Sequence, residues 1–143
     1  RWRLFAFAEK NDFGQDMGVI SNLVKFLFGD SKSPIQKYTA KGDDCDATLD
    51  FRVVFQQRHN ELNISKLPSQ LLPKKGRFGL VDYEKVFCSD HKIGPDIFDA
   101  RGIDRHSGAL IIVRPDQYIA AIMPLTDWLG VCKFFDGFMV EQD

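Results

Sequence analysis

The sequence predicts a single α/β domain built on a mixed sheet flanked by helices, and three observations carry that expectation. Segments with strand and helix periodicity follow one another as strand, helix, strand, and later as strand, strand, helix. The first three make a βαβ unit, whose strands are expected to run parallel with a right-handed crossover. The later two strands flank Pro115-Asp116-Gln117, a sequence suited to a tight turn, and so read as an antiparallel hairpin. A chain of 143 residues can bury one sound core. No repeat, low-complexity tract or linker divides it, so residues 1–143 are expected to form one domain.

Each element has its own warrant. Trp2–Ala8 is apolar almost throughout, as in a strand covered on both faces. Glu9–Gly14 is a polar turn. Within Gln15–Gly29, Val19, Ile20, Leu23, Val24, Leu27 and Phe28 recur at helical spacing and form one stripe, with Gly29 as the stop. Asp30–Asp46, with Pro34 and Gly42, reads as a loop. In Thr48–Gln57, Leu49, Phe51, Val53 and Phe55 alternate with Asp50, Arg52 and Val54, predicting one buried and one more polar face. Gln57–Gly94 is long and broken by Pro68, Pro73, Gly76 and Gly79, and loops of that length are usually functional or bound to something. Pro95–Ala100 is expected as a short helix ended by Gly102.

Gly108–Arg114 and Tyr118–Met123 are the hairpin strands, and Pro124 ends the second. Thr126 is the expected cap of a helix over Asp127–Met139, with Trp128, Leu129, Cys132, Phe135 and Met139 on one face. Gly130 costs such a helix about 1 kcal/mol against Ala, which a close backbone contact would justify. The whole order, βαβ then ββα, resembles that of the thioredoxin-like fold.

Bulk composition excludes several function classes. The net charge of −1 offers no basic surface for nucleic acid or an anionic membrane. No apolar run is long enough to span a bilayer as a helix. Cys45, Cys88 and Cys132 are odd in number and widely spaced, so they do not read as a disulfide framework, and a reducing, cytoplasmic setting is expected. Asn63-Ile64-Ser65 matches a glycosylation acceptor, which matters only in a secreted protein. The chain opens on Arg1-Trp2-Arg3, directly against the first strand and without a leader pattern, as expected of a domain cut from a longer polypeptide.

The sharper chemical readings are weak. Dithiol redox chemistry needs paired thiols near a helix N-terminus, and the turn before the first helix, Glu9-Lys10-Asn11-Asp12-Phe13-Gly14, has no Cys. The same turn lacks the glycine cradle that receives a dinucleotide pyrophosphate. Cys88-Ser89-Asp90-His91, with Cys45 and His59, fits no familiar metal spacing, and a loop His with a strand Cys explains it better. Asp104, His106 and Ser107 are too close in sequence to face one another as a hydrolytic triad. Lys74-Lys75-Gly76-Arg77 reads as a solvated basic loop. No catalytic, cofactor-binding or metal-binding residue is therefore assigned. Leu67, Leu71, Leu72, Phe78 and Phe87 lie in the long excursion without clear periodicity; they are the expected contacts to another domain or subunit, with packing against the chain's own sheet edge as the alternative.

Five ordered stretches resemble the C-terminal domain of FAD-dependent aromatic hydroxylases of the phenol 2-monooxygenase family. They are Lys37-Tyr38-Thr39, Phe55-Gln56-Gln57, Gly79–Phe87, the Arg114-Pro115-Asp116 hairpin within Ile112–Ala120, and Phe134-Phe135-Asp136-Gly137-Phe138. The resemblance implies a thioredoxin-like, noncatalytic assembly or dimerisation domain. It implies a parent that uses FAD and NADPH to hydroxylate a phenol beside its hydroxyl. The partners so implied are the FAD and substrate domains of the parent chain and a second subunit, with no cofactor held in this chain. The alternative is a free-standing thioredoxin-like binding module without redox activity.

Overall fold

The computed structural model describes residues 1–58, 61–75, 77–78, 80–88 and 102–140. Strands β1 (Trp2–Phe7), β2 (Leu49–Phe55), β5 (Val86–Cys88), β6 (Ala109–Val113) and β7 (Ile119–Met123) form one sheet in the order β5-β2-β1-β6-β7. β1, β2 and β5 run parallel, while β6 is antiparallel to both β1 and β7. A separate small hairpin pairs β3 (Lys74–Lys75) with β4 (Leu80–Val81). Among the described residues the α-helices are α1 (Val19–Gly29), α2 (Pro34–Tyr38) and α3 (Trp128–Asp136). This is a mixed α/β sheet in a thioredoxin-like arrangement.

Strand alternation decides what lies on each face. Leu4 and Ala6 of β1, Leu49, Phe51, Val53 and Phe55 of β2, and Leu110 and Ile112 of β6 share one face. They pack with Ile20, Leu23, Val24 and Leu27 of α1, with Ile35 and Tyr38 of α2, and with Val131 and Phe135 of α3 in a single core. Each such side chain, when fully buried, contributes about 1.5–3 kcal/mol, so this layer dominates stability. The other face carries a second, smaller cluster of Phe7, Val54 and Ile111, edged by Phe5, Ile103 and Val113. Among the described residues no helix belongs to that cluster.

Several expectations need correction. α1 begins at Val19 rather than Gln15, because Gly14 and Met17 take left-handed backbone conformations that interrupt any earlier turn. The expected loop 30–46 contains α2: Ser33 Oγ accepts from the Gln36 N–H, and Pro34 sits at the first helical position. β2 is covered on both sides, with Asp50 fully buried by ion pairing, so its second face is not solvated. Within the long excursion lie two single-turn 3-10 helices, Ile64–Lys66 and Ser69–Leu71, the β3–β4 hairpin, and β5.

α3 is capped by Asp127, not Thr126: its carboxylate accepts from the Gly130 N–H at 3.0 Å. A Cβ on Gly130 would meet Asp127 Oδ2 at 2.4 Å, so the glycine makes room for the cap and not for a neighbouring backbone. Leu129 consequently faces out, and Val131 and Phe135 turn inward. α3 ends at Asp136, and the Phe138 and Met139 N–H groups bond back to the Phe135 carbonyl. The helix expected over Pro95–Ala100 lies outside the described residues.

Candidate interaction surface

The β1–α1 turn is the place where this fold could present a helix N-terminus to a thiol or a phosphate. Here the chain fills it with its own carboxylate. Asp12, almost fully buried, accepts from the Ile20 N–H at 2.8 Å through Oδ2 and from the Gly14 N–H at 2.9 Å through Oδ1. Gly14 packs so closely that an added Cβ would lie 2.5 Å from Leu67 Cδ2. The loop entering β6 is equally tight. Gly108 has φ +62°, and a Cβ there would lie 2.1 Å from the Phe7 carbonyl oxygen. The residues of this turn do not fit a flavin or nicotinamide pyrophosphate.

The remaining chemical candidates are dispersed. Cys45, Cys88 and Cys132 are free and half-buried, and burial pushes each thiol up, away from the thiolate a nucleophile needs. His59 and residues 89–91 lie outside the described residues. Among the described residues no group of three or more His, Cys, Asp or Glu is arranged to hold a metal. The Asp104 carboxylate accepts from the backbone N–H of His106 at 2.8 Å, so it shapes a turn and does not orient an imidazole. Among the described residues no helix is long and apolar enough to cross a membrane.

A buried ion network occupies the start of β1, β2 and β5. Lys85 Nζ donates to Asp46 Oδ2 and to Asp50 Oδ1, each at 2.6 Å, and lies 3.5 Å from Asp82. Lys75, from the supposed basic loop, turns inward to Asp46 and Asp82. Arg52 Nη2 lies 2.9 Å from Asp50 Oδ2, and Arg1 and Arg3 approach the same carboxylate at 3.7 and 3.9 Å. Burial alone would push Asp46 up, but hydrogen bonds from Lys75 and Lys85 outweigh it and hold the carboxyl at about 2. The Asp46 hydrogen bond raises Lys75 in turn. The network fastens the β3–β4 hairpin and the approach to β5 onto the sheet.

The five residues expected at an interface separate. Leu67 and Leu71 are buried in the main core, so they cannot also present a surface to a partner. Leu72 is half-buried and Phe87 is 40% exposed; both line a depression at the β5 edge with Leu62, Ile64, Tyr83 and Val86. Phe78 does not line it, but stands 81% exposed between β3 and β4, with the Arg77 guanidinium 5.7 Å from its ring centroid. At the opposite edge, Tyr118, Ile119 and Ile122 are exposed beside a second depression on the face that carries Phe7, Val54 and Ile111. The sequence does not announce this second patch, because alternation along β7 does not reveal which of its residues the rest of the chain leaves exposed.

Residues 1–143 match the family described as phenol hydroxylase, C-terminal dimerisation domain. The chain is 47% identical over 140 residues to the 3-hydroxybenzoate 4-monooxygenase of Comamonas testosteroni, which covers 97% of this chain and 22% of that protein. It is 30% identical over 147 residues to the FAD-dependent monooxygenase terD of Aspergillus terreus, covering 99% of this chain and 24% of that protein. The chain thus spans less than a quarter of the length of these curated relatives.

Proposed function

The chain belongs to the phenol hydroxylase C-terminal dimerisation domain family, and from that membership we propose that it is the noncatalytic assembly domain of an FAD-dependent aromatic hydroxylase. The observation that carries this reading is the match over the full 143 residues to a domain defined by subunit association. The closed β1–α1 turn supports it, since Asp12 takes the backbone donors a cofactor phosphate would need. FAD and NADPH then belong to portions of the parent outside this chain. The parent hydroxylates a phenolic ring beside its hydroxyl. One relative's name, 3-hydroxybenzoate 4-monooxygenase, describes oxygenation at the ring position next to a hydroxyl. A hydroxybenzoate is therefore as good a substrate candidate as phenol itself. Free, half-buried thiols suit a reducing cytoplasm.

In this reading Leu72, Phe78 and Phe87 make contacts to the rest of the parent, through the exposed β5 edge and the β3–β4 hairpin. The test is the polypeptide in its source. An antibody against this chain should detect a band several times larger than 16.4 kDa. That band should co-elute with flavin and with NADPH oxidation dependent on a hydroxybenzoate or a phenol. A band near 16.4 kDa without a larger species would overturn the reading in favour of a free-standing binding module.

A further inference from the structure

We propose that the hollow beside Arg3 binds a small aromatic monocarboxylate, a noncatalytic site that stands apart from the assembly reading above. The hollow measures about 230 Å³. Sites for drug-sized ligands run to about 300–1,000 Å³, so this one takes a single ring. Strand register grades its lining from polar to apolar. Arg3 lies opposite Val113, Phe5 opposite Ile111, and Phe7 opposite Ala109. Arg3 and Gln117 therefore stand at one end with Val113 and Ile119, and Phe5, Ile111 and Phe7 continue the apolar wall away from them. Phe7 and Ile111 are buried in the smaller apolar cluster, so that wall is packed protein and not loose surface.

The polar end is short of negative charge. Arg52, Arg1 and Arg3 all approach Asp50 Oδ2, at 2.9, 3.7 and 3.9 Å, while Lys85 takes the other oxygen. Among the described residues this network sets five cations, Arg1, Arg3, Arg52, Lys75 and Lys85, against three carboxylates, Asp46, Asp50 and Asp82. Arg3 has donors to spare. Its Nε is buried without a hydrogen-bond partner, and its Nη1 donates to Gln117 Oε1 at 3.3 Å. With Oε1 so engaged, the Gln117 amide nitrogen remains a donor beside the guanidinium. Adjacent guanidinium and amide donors suit the two oxygens of a carboxylate. Asp116, on the same turn, is already paired with Arg114 at 2.8 Å and does not line the hollow.

Backbone strain singles out the same residue. Gln117 has φ +76°, a left-handed conformation that glycine adopts freely and glutamine does not. Strain of this kind collects at ligand sites. What glycine would lack there is the side-chain amide that holds Arg3 and stands at the charged end of the hollow. An uncharged ring would leave the Arg3 donors without an acceptor, and an aliphatic carboxylate would leave the Phe5 and Phe7 wall wet. A ring that carries one carboxylate answers both.

Titration of the isotope-labelled 143-residue chain with benzoate, followed by amide NMR shifts, tests the proposal. Saturable shifts are expected at Arg3, Phe5, Val113, Gln117 and Ile119. Benzamide, with the ring but not the charge, and acetate, with the charge but not the ring, should each bind at least about 10-fold more weakly. Arg3→Gln should weaken benzoate by at least about 10-fold, and Arg52 and Lys85 still hold Asp50 in that variant. Gln117→Gly relieves the left-handed strain, so it should fold at least as well as the wild type while weakening benzoate by about 5-fold or more. Shifts that never saturate, shifts scattered away from the hollow, benzamide binding as tightly as benzoate, or benzoate binding unchanged in Gln117→Gly would each overturn the site. The size of the polypeptide in its source answers the assembly question separately.

Discussion

Replacing Lys85 with Met asks whether ions or apolar packing hold the β3–β4 excursion on the sheet. The ammonium group makes two hydrogen bonds of 2.6 Å to carboxylates that are themselves buried. Removing it leaves Asp50 with Arg52, at 3.0 and 2.9 Å, and leaves Asp46 with Lys75. Breaking a buried pair costs about 3–5 kcal/mol, and because each carboxylate keeps at least one close cation the loss should lie near the low end, about 3 kcal/mol. Methionine preserves the apolar stem, so little of that loss is packing.

The pH dependence carries its own sign. Asp46 is held at about 2, below its ordinary 3.8, so its contribution is present above the ordinary value and disappears as pH falls toward 2. In the variant Asp46 titrates higher, so stability begins to fall at a higher pH. The difference between the two proteins should shrink once both are below about pH 3. Urea unfolding followed by Trp fluorescence at several pH values reads all of this. A loss below about 1 kcal/mol at neutral pH, or a gap that does not change with pH, would refute the argument.

Three further outcomes follow from the geometry. Leu71→Ala should cost about 2–5 kcal/mol, since it empties core volume, whereas Phe78→Ala should change stability by no more than about 0.5 kcal/mol; paired urea titrations distinguish the buried residue from the exposed one. Gly108→Ala adds a methyl against the Phe7 carbonyl oxygen and Leu125 Cδ1 at a left-handed φ, so a loss above about 3 kcal/mol is expected in thermal unfolding, and an unchanged midpoint would contradict the packing. Asp12→Ala leaves the Gly14 and Ile20 N–H groups without their acceptor; about 2–4 kcal/mol should be lost, and hydrogen exchange should quicken first at those two amides.

Periodic segments were legible in the sequence because their patterns are long and their burial is one-sided. The α1 stripe and the hairpin around Pro115 needed nothing beyond spacing and turn chemistry. α2 had a readable signal in Ser33-Pro34, a cap followed by proline at the first helical position, but five residues are too few for a stripe. β5 has three residues and exists because β2 offers it an edge, so no local pattern announces it. Asp50 misled in the other direction. An aspartate in a strand reads as solvent-facing until its partners are known, and Lys85 lies 35 residues away in sequence. Leu67 and Leu71 misled for a related reason: in an irregular segment, apolar residues bound for the core and for the surface look alike.

The alternation along β1 has a practical consequence for anyone improving this domain. Along β1, Leu4 and Ala6 point into the helical layer while Arg3 and Phe5 point to the other side. Neighbouring positions therefore answer to different selections. A substitution at Leu4 or Ala6 is read against the helical layer, and one at Phe5 against the smaller cluster of Phe7, Val54 and Ile111. A stability screen run on the isolated chain would therefore weigh the two faces of β1 separately, and a gain won on one would not carry over to the other.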